Sequence, residues 1–471
     1  MGRHFENGPF RGRAKGVVPR NLKVAERTLP PPIRAPLAFY EGLWRLVPPI
    51  LRRNSRLRDG WDQRVLRRTL PPADLWIQAA SAGEAYLARE LFRAADGFRG
   101  IRVLATTGTR QGMEILAAEK RWARAFFPFD RPSWMTRAVD QVRPRAAVLL
   151  ETELWPGHLA ALRTREVPVL LLNGRITARS LRGYRRMGGL WRSLRPDRIA
   201  AISPADAERF ASLFGSAGVT VMPNIKFDRI RIPENAAEEI SPFQGNGAEV
   251  RPGLAPGNGN HPLTARNGWF KPEDSVVVLG SIREEEETPV LRMVRKIRES
   301  VPNAILALAP RHLHRVSVWT DRLSAEGIPW ALRSDLIPPA SAGRIVIWNT
   351  FGELGKLYEC ADAVFVGGSL APLGGQNFME PLAAGRIPVI GPSWSNFAWI
   401  GEEIFRGGLA VRTGDAEEAA NSLLSLLRHP PDRDQVREKV RKFVRSRSGG
   451  AKMAAEMAWR ILFQDFIPYP N

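Results

Sequence analysis

Val364-Phe-Val-Gly-Gly-Ser-Leu-Ala-Pro-Leu-Gly-Gly-Gln-Asn-Phe-Met-Glu-Pro-Leu382 is an apolar run that breaks into a glycine-rich loop and resumes with helical spacing. A strand, loop and helix in this order are expected to aim free backbone N–H groups, and the positive end of a helix dipole, at one point that suits a phosphate. Asn377 and Glu380 are three residues apart and are expected to share a helix face. A carboxylate one turn from a bound phosphate is well placed to accept hydrogen bonds from a ribose. The segment reads as a nucleotide site.

The same design recurs along the chain. Strand-like runs at Leu75–Ala80, Ile101–Thr106, Ala146–Glu151, Val167–Asn173 and Arg198–Ser203 alternate with helical stretches such as Ala85–Ala95 and Gln111–Arg121. A second set follows at Ser275–Gly280, Ala304–Ala309, Arg344–Trp348, Ala363–Gly367 and Ile387–Gly391. Alternation of this kind predicts an α/β protein of two Rossmann-like, doubly wound domains facing across a cleft, with ligands at the carboxyl ends of the strands. The expected divisions are a basic extension (1–70), a first domain (71–225), a second domain (226–450) and a C-terminal helix (451–471) packing back across the boundary. Residues 240–265, rich in Gly, Asn and Pro without periodicity, read as a flexible insertion.

Charge is the unusual bulk property. The net charge is +21, and residues 1–70 hold 16 Lys and Arg against 5 Asp and Glu. A second cluster, Arg179 to Arg198, holds seven arginines and one acid, Asp197. Such fields attract polyanions, either nucleic acid or an anionic membrane surface. Nucleic acid is the weaker reading, because no aromatic stacking platform is interleaved with the basic clusters. Ala35–Leu51 is too short and too interrupted to span a bilayer. Tyr40, Leu43, Trp44 and Val47 fall at helical spacing before Arg52, Arg53, Arg56 and Arg58. That segment is a short amphipathic helix, either lying on a membrane or packed on its own domain. Residues 1–34 lack the apolar core of a secretory signal. The single cysteine, Cys360, rules out an intrachain disulfide framework, and histidine spacing offers no metal site.

Several strand ends carry chemistry. Ala80-Ser-Ala-Gly-Glu84 lets the backbone turn tightly at Ser81 and Gly83 and projects Glu84 from a helix start, as a general base or as an ordinary first-turn glutamate. A helix dipole lowers its basicity, so burial would have to raise its pKa. Thr106, Thr107, Glu151, Glu153 and Arg175 gather at the same rim, either touching an acceptor or bracing loops. Arg175 is the expected partner of the two glutamates. In the second half, Ser281 is expected near a phosphate, Arg311 as a bidentate phosphate clamp beside His312, and Gly352, Glu353 and Leu354 at a helix start facing a base or phosphate.

In this order, Trp76-Ile-Gln-Ala-Ala-Ser-Ala-Gly-Glu84, Glu151-Thr-Glu-Leu-Trp-Pro156, Asn173-Gly-Arg175, Asn224-Ile-Lys-Phe-Asp228, Pro310-Arg-His312 and Gly374-Gly-Gln-Asn-Phe-Met-Glu-Pro381 resemble the Kdo transferases of lipopolysaccharide assembly. Kdo is 3-deoxy-D-manno-oct-2-ulosonic acid. The resemblance runs from about Trp76 to Ile400. It implies a glycosyltransferase B fold, CMP-Kdo as donor on the second domain, and a lipid A precursor as acceptor on the first. It also implies inversion at the anomeric carbon, no donor-bound metal or cofactor, and a peripheral place on the cytoplasmic face of a bacterial inner membrane. By the same resemblance Glu84 stands at the catalytic-base position, and Arg311, Asn377 and Glu380 stand at CMP-binding positions. The chain departs from the family pattern at Gln376, where His is usual, at Ile282-Arg283, where Thr-His is usual, and at Pro223, where Gly is usual. A related transferase with another nucleotide donor, or a basic binding protein without catalysis, is the alternative.

Overall fold

The computed structural model describes residues 31–232 and 265–463. The first thirty residues of the basic extension, nearly all of the 240–265 segment and the last eight residues lie outside the described residues.

Among the described residues fourteen strands form two sheets of seven, all neighbours parallel. The first comprises β1 (Leu75–Gln78), β2 (Val103–Thr107), β3 (Ala123–Phe126), β4 (Ala146–Leu150), β5 (Val169–Gly174), β6 (Arg198–Ala201) and β7 (Val219–Val221), in the order β3-β2-β1-β4-β5-β6-β7. The second comprises β8 (Val276–Ile282), β9 (Ile305–Pro310), β10 (Trp330–Leu332), β11 (Ile345–Ile347), β12 (Ala363–Val366), β13 (Pro388–Ile390) and β14 (Val411–Arg412), in the order β10-β11-β9-β8-β12-β13-β14. Both orders reverse beside the sheet's first strand, between β1 and β4 and between β8 and β12. Connections leave in opposite directions there and open a crevice at the strand ends.

The central strands are apolar throughout because both faces are covered. Each sheet is sandwiched between two apolar clusters. The helices that bear on the site are α1 (Pro31–Trp44), α2 (Val47–Leu51), α3 (Ala82–Ala94), α4 (Pro156–Thr164), α5 (Glu287–Ser300), α6 (Met379–Ala383) and α7 (Gly450–Phe463). Helix α7 follows the second domain in sequence, yet Ala451, Ala454, Ala455, Ala458, Ile461 and Leu462 pack into the first domain's core. Asp228 fixes its start, its carboxylate accepting from the N–H of Gly449 (2.5 Å) and of Ala451 (2.6 Å).

Helix α1 packs on its own domain with one face. Ile33 and Leu37 are buried, Trp44 stacks on Phe129 at 5.8 Å, Tyr40 donates to Asp130 (3.2 Å), and Glu41 pairs with Arg131. The opposite side leaves Phe39 70%, Leu43 46%, Leu46 72% and Ile50 67% exposed. No described helix is long and apolar enough to cross a membrane.

Candidate functional site

At the first switch point, β1 runs into the turn that starts α3. Ser81 caps the helix, and its N–H donates to Glu84 Oε2 at 2.6 Å. The capping box draws Glu84 back over the strand end and leaves it 8% exposed. Burial, then the nearby charge of Glu151, push its pKa above the usual 4.5, against the opposing pull of the Ser81 N–H and of Lys226. The condition that the sequence set for a base at this position is therefore met by its surroundings.

Glu151 follows β4 with a left-handed backbone, φ +56°. Its partner is Lys226, Nζ to Oε1 at 2.7 Å. The expected partner was Arg175. That residue instead offers its carbonyl to the Thr152 hydroxyl, because the chain returning from β7 carries Lys226 over the end of β4. Glu153 accepts from the Trp155 indole at 2.6 Å. Burial and the charge of Glu84 push its pKa to about 7, with hydrogen bonds from Trp155 and Gln78 opposing. Glu84, Glu151 and Glu153 thus form one carboxylate cluster answered by one ammonium. Thr106 and Thr107 are fully buried. Thr106 accepts from the Trp76 indole (2.8 Å) and bonds Gln78 (2.6 Å), while Thr107 lies 3.4 Å from the Ala80 carbonyl. Both brace the floor of the site and do not face an acceptor.

The segment carrying Lys226 is the seam between the domains. Ile225 belongs to the first domain's core and Phe227 to the second's. Lys226 lies 6.0 Å from the Trp399 ring, and Arg229 stacks on Tyr86 of α3 at 3.9 Å. Asn224 caps the turn, its Oδ1 accepting from the Lys226 N–H at 3.0 Å.

At the second switch point the glycine-rich loop departs from expectation. Most of its amides are already bonded within the protein. Gly368, Ser369 and Leu370 donate to the carboxylate of Glu286, which also accepts from Arg283 N–H and is fully buried. Gly374 donates to Ser393 Oγ, Gly375 to the Gly368 carbonyl and Gln376 to the Gly367 carbonyl. The phosphate expected at these three amides gives way to an internal carboxylate 82 residues upstream of Gly368. Nor do Asn377 and Glu380 ride one helix face. Asn377 precedes α6, its Oδ1 accepting from the Met379 N–H (3.2 Å) and its amide donating to Glu380 Oε1 (2.9 Å). Burial pushes Glu380 to about 7, while Asn377 and the charge of Arg311 oppose it.

Arg311, Ser281 and Tyr358 complete this corner. Ser281 has φ +58°. Tyr358, buried beneath, has its phenol raised by burial and by Glu380, with a Ser281 hydrogen bond opposing. His312 is held below its usual range by burial, then by Arg283, Arg311 and His314. Gly352, at φ +83°, makes the turn into the helix Leu354–Cys360, but the Glu353 carboxylate is engaged by Trp348, Thr350 and Arg333. Lys226, Glu286 and Tyr358 are the residues that reading for site chemistry missed. Lys226 lay within the quoted Asn224–Asp228 segment, which was the available signal. Among the described residues no group of three or more His, Cys, Asp or Glu is placed to hold a metal ion.

The sequence model of the family described as 3-Deoxy-D-manno-octulosonic-acid transferase (kdotransferase) matches residues 59–229. The chain is 31% identical over 401 residues to the 3-deoxy-D-manno-octulosonic acid transferase of Bordetella pertussis, covering 81% of this chain and 85% of the relative. It is 30% identical over 372 residues to the Haemophilus influenzae protein of the same name, covering 75% and 80%. In fold it is similar to a glycosyltransferase from Rickettsia africae, with TM-score 0.54 over 83% of this chain and 99% of that one at 10% identity. Its two parallel sheets share the glycosyltransferase B architecture.

Proposed function

Because this chain belongs to the 3-deoxy-D-manno-octulosonic acid (Kdo) transferase family of glycosyltransferases, we propose that it moves Kdo from CMP-Kdo to a hydroxyl of a lipid A precursor. The observation that carries this reading is Glu84, a buried carboxylate of raised pKa at the first switch point, with Asn377, Glu380 and Arg311 together at the second. Glu84 accepts the proton of the acceptor hydroxyl as that oxygen bonds to the anomeric carbon of Kdo. The bond from that carbon to the phosphate oxygen breaks, and its electron pair leaves with CMP. One base on the far side of the sugar, with no covalent intermediate, inverts the configuration.

Charge grows on the departing phosphate, and Arg311 and the Asn377 amide are the groups that oppose it. The amides of Gly368, Ser369 and Leu370 are taken by Glu286 and do not share that task. Glu380 is the ribose acceptor. Glu151, paired with Lys226, stands beside Glu84 and raises its pKa, which strengthens the base.

The acceptor is a phosphorylated lipid, and the outer face of α1 and α2 supports a peripheral place on the anionic cytoplasmic face of the inner membrane. Exposed Phe39, Leu43, Leu46 and Ile50 offer apolar contact. Beside them Pro48, Pro49, Arg52, Arg53, Trp61 and Trp134 line an open groove of about 530 Å³, a cationic surface for headgroups.

Competition tests donor identity. CMP is expected to inhibit Kdo transfer at concentrations at least about tenfold below UDP or GDP. Equal inhibition by UDP or GDP would favour a transferase with a different donor.

A further inference from the structure

Two arginines follow the ends of the neighbouring strands β8 and β9. β8 and β9 are neighbours with Ile282 opposite Pro310, so Arg283 and Arg311 are the next residue on each strand. The Arg311 N–H donates to the Ile282 carbonyl at 2.8 Å, which locks the two strand ends together. Arg311 has no side-chain hydrogen bond or ion pair among the described residues. Arg283 has its Nε buried without a hydrogen-bond partner. The carboxylate nearest to that nitrogen, Glu285, is 3.7 Å away and half exposed, beyond hydrogen-bond reach. Glu286, the buried carboxylate next to it, is spent on four backbone amides, including that of Arg283 itself. Glu285 and Glu380 offset Arg283 and Arg311 in part, and two adjacent cations still favour anionic groups placed between them.

We infer that Arg283 forms a subsite for the carboxylate of the donor sugar, separate from the phosphate contact of Arg311; this rests on the donor being a CMP-linked ulosonic acid. In a 2-ulosonic acid joined through its anomeric carbon, the carboxylate and the phosphate-bearing oxygen are substituents of the same carbon. The ligand therefore brings two anionic groups as close neighbours, matching two guanidiniums on adjacent strand ends. A planar fork with a desolvated Nε–H suits a carboxylate in particular, since it pairs bidentately with both oxygens. The subsite selects acidic sugars over neutral ones carried by the same nucleotide.

The test compares the KM for CMP-Kdo with the inhibition constant of CMP, which has the phosphate but no sugar carboxylate. Arg283→Met is expected to raise the KM by on the order of ten- to hundredfold, with CMP inhibition within twofold of wild type. Arg283→Lys, which keeps the charge and loses the fork, falls between. Arg311→Met weakens CMP and CMP-Kdo together. Retained CMP inhibition shows that the donor domain of each Arg283 variant is folded. A parallel loss of CMP inhibition in Arg283→Met, or an unchanged KM, overturns the subsite. If wild-type protein transfers nothing from CMP-Kdo, the functional reading fails first and the subsite with it.

Discussion

Lys226 Nζ lies 2.7 Å from Glu151 Oε1, and the residues flanking Lys226 belong to different cores, Ile225 to the first domain and Phe227 to the second. The cation that balances the carboxylate cluster is thus carried by the seam on which the two domains meet.

Removing that cation has a signed consequence. Lys226 pulls the Glu84 pKa down, and Glu151 pushes it up. In Lys226→Met the repulsion from Glu151 loses this counterweight and the Ser81 hydrogen bond alone opposes it, so less Glu84 is ionised at a given pH. The acid limb of the kcat profile is expected to move to higher pH, with kcat at pH 7 falling about tenfold or more. Lys226→Arg keeps the limb close to its original place. An unmoved limb in the methionine variant would separate Lys226 from the base.

Glu286 is expected to matter for the donor domain alone. Its carboxylate gathers four N–H groups from two chain segments. The carboxamide of Glu286→Gln has one acceptor oxygen and adds two donors facing those N–H groups. Stranded buried amides cost about 1–3 kcal/mol, and denaturant unfolding is expected to read a loss in that range. CMP binding weakens with the loop, while the Glu84 acid limb stays where it is.

Glu380 links nucleotide binding to protons. Its folded pKa, about 7, is above the usual 4.5. The fold therefore favours the neutral form, and the stability associated with Glu380 is present below pH 4.5 and lost as pH rises toward about 7. A ribose that donates hydrogen bonds to the ionised carboxylate lowers that pKa. CMP binding near pH 7 is then expected to release protons, read as a dependence of calorimetric heat on buffer ionisation enthalpy. Glu380→Gln should abolish the release and raise the melting temperature more at pH 8 than at pH 4.5.

The doubly wound organisation was legible because buried parallel strands are apolar on both faces, and all ten expected strands overlap strands of the structure. The unforeseen four, β3, β7, β10 and β14, are the edge strands of the two sheets, with two to four residues each. Most of their residues are partly exposed, so they lack the continuous apolar run that marks a central strand. Glu84 and Asn377 were visible because each stands at the end of a strand in a small-residue turn. What no local pattern reveals is who bonds whom across long separations. The glycine loop reads as vacant amides until Glu286, 82 residues before Gly368, is seen to fill them. Glu151 reads as a partner for Arg175 until the chain brings Lys226 back over β4. In α1 the period was right, but one face docks on Phe129 and Asp130 while the other remains outward, which a single amphipathic stripe does not distinguish.

The most direct measurement is mass analysis of a lipid A precursor after incubation with CMP-Kdo and either wild-type protein or Glu84→Ala. Wild-type protein is expected to add Kdo to the lipid. Glu84→Ala should be slower by on the order of a hundred- to ten-thousandfold while CMP binds it as tightly as before. Transfer by Glu84→Ala at the wild-type rate, or a lipid left unmodified by wild-type protein, would contradict the account.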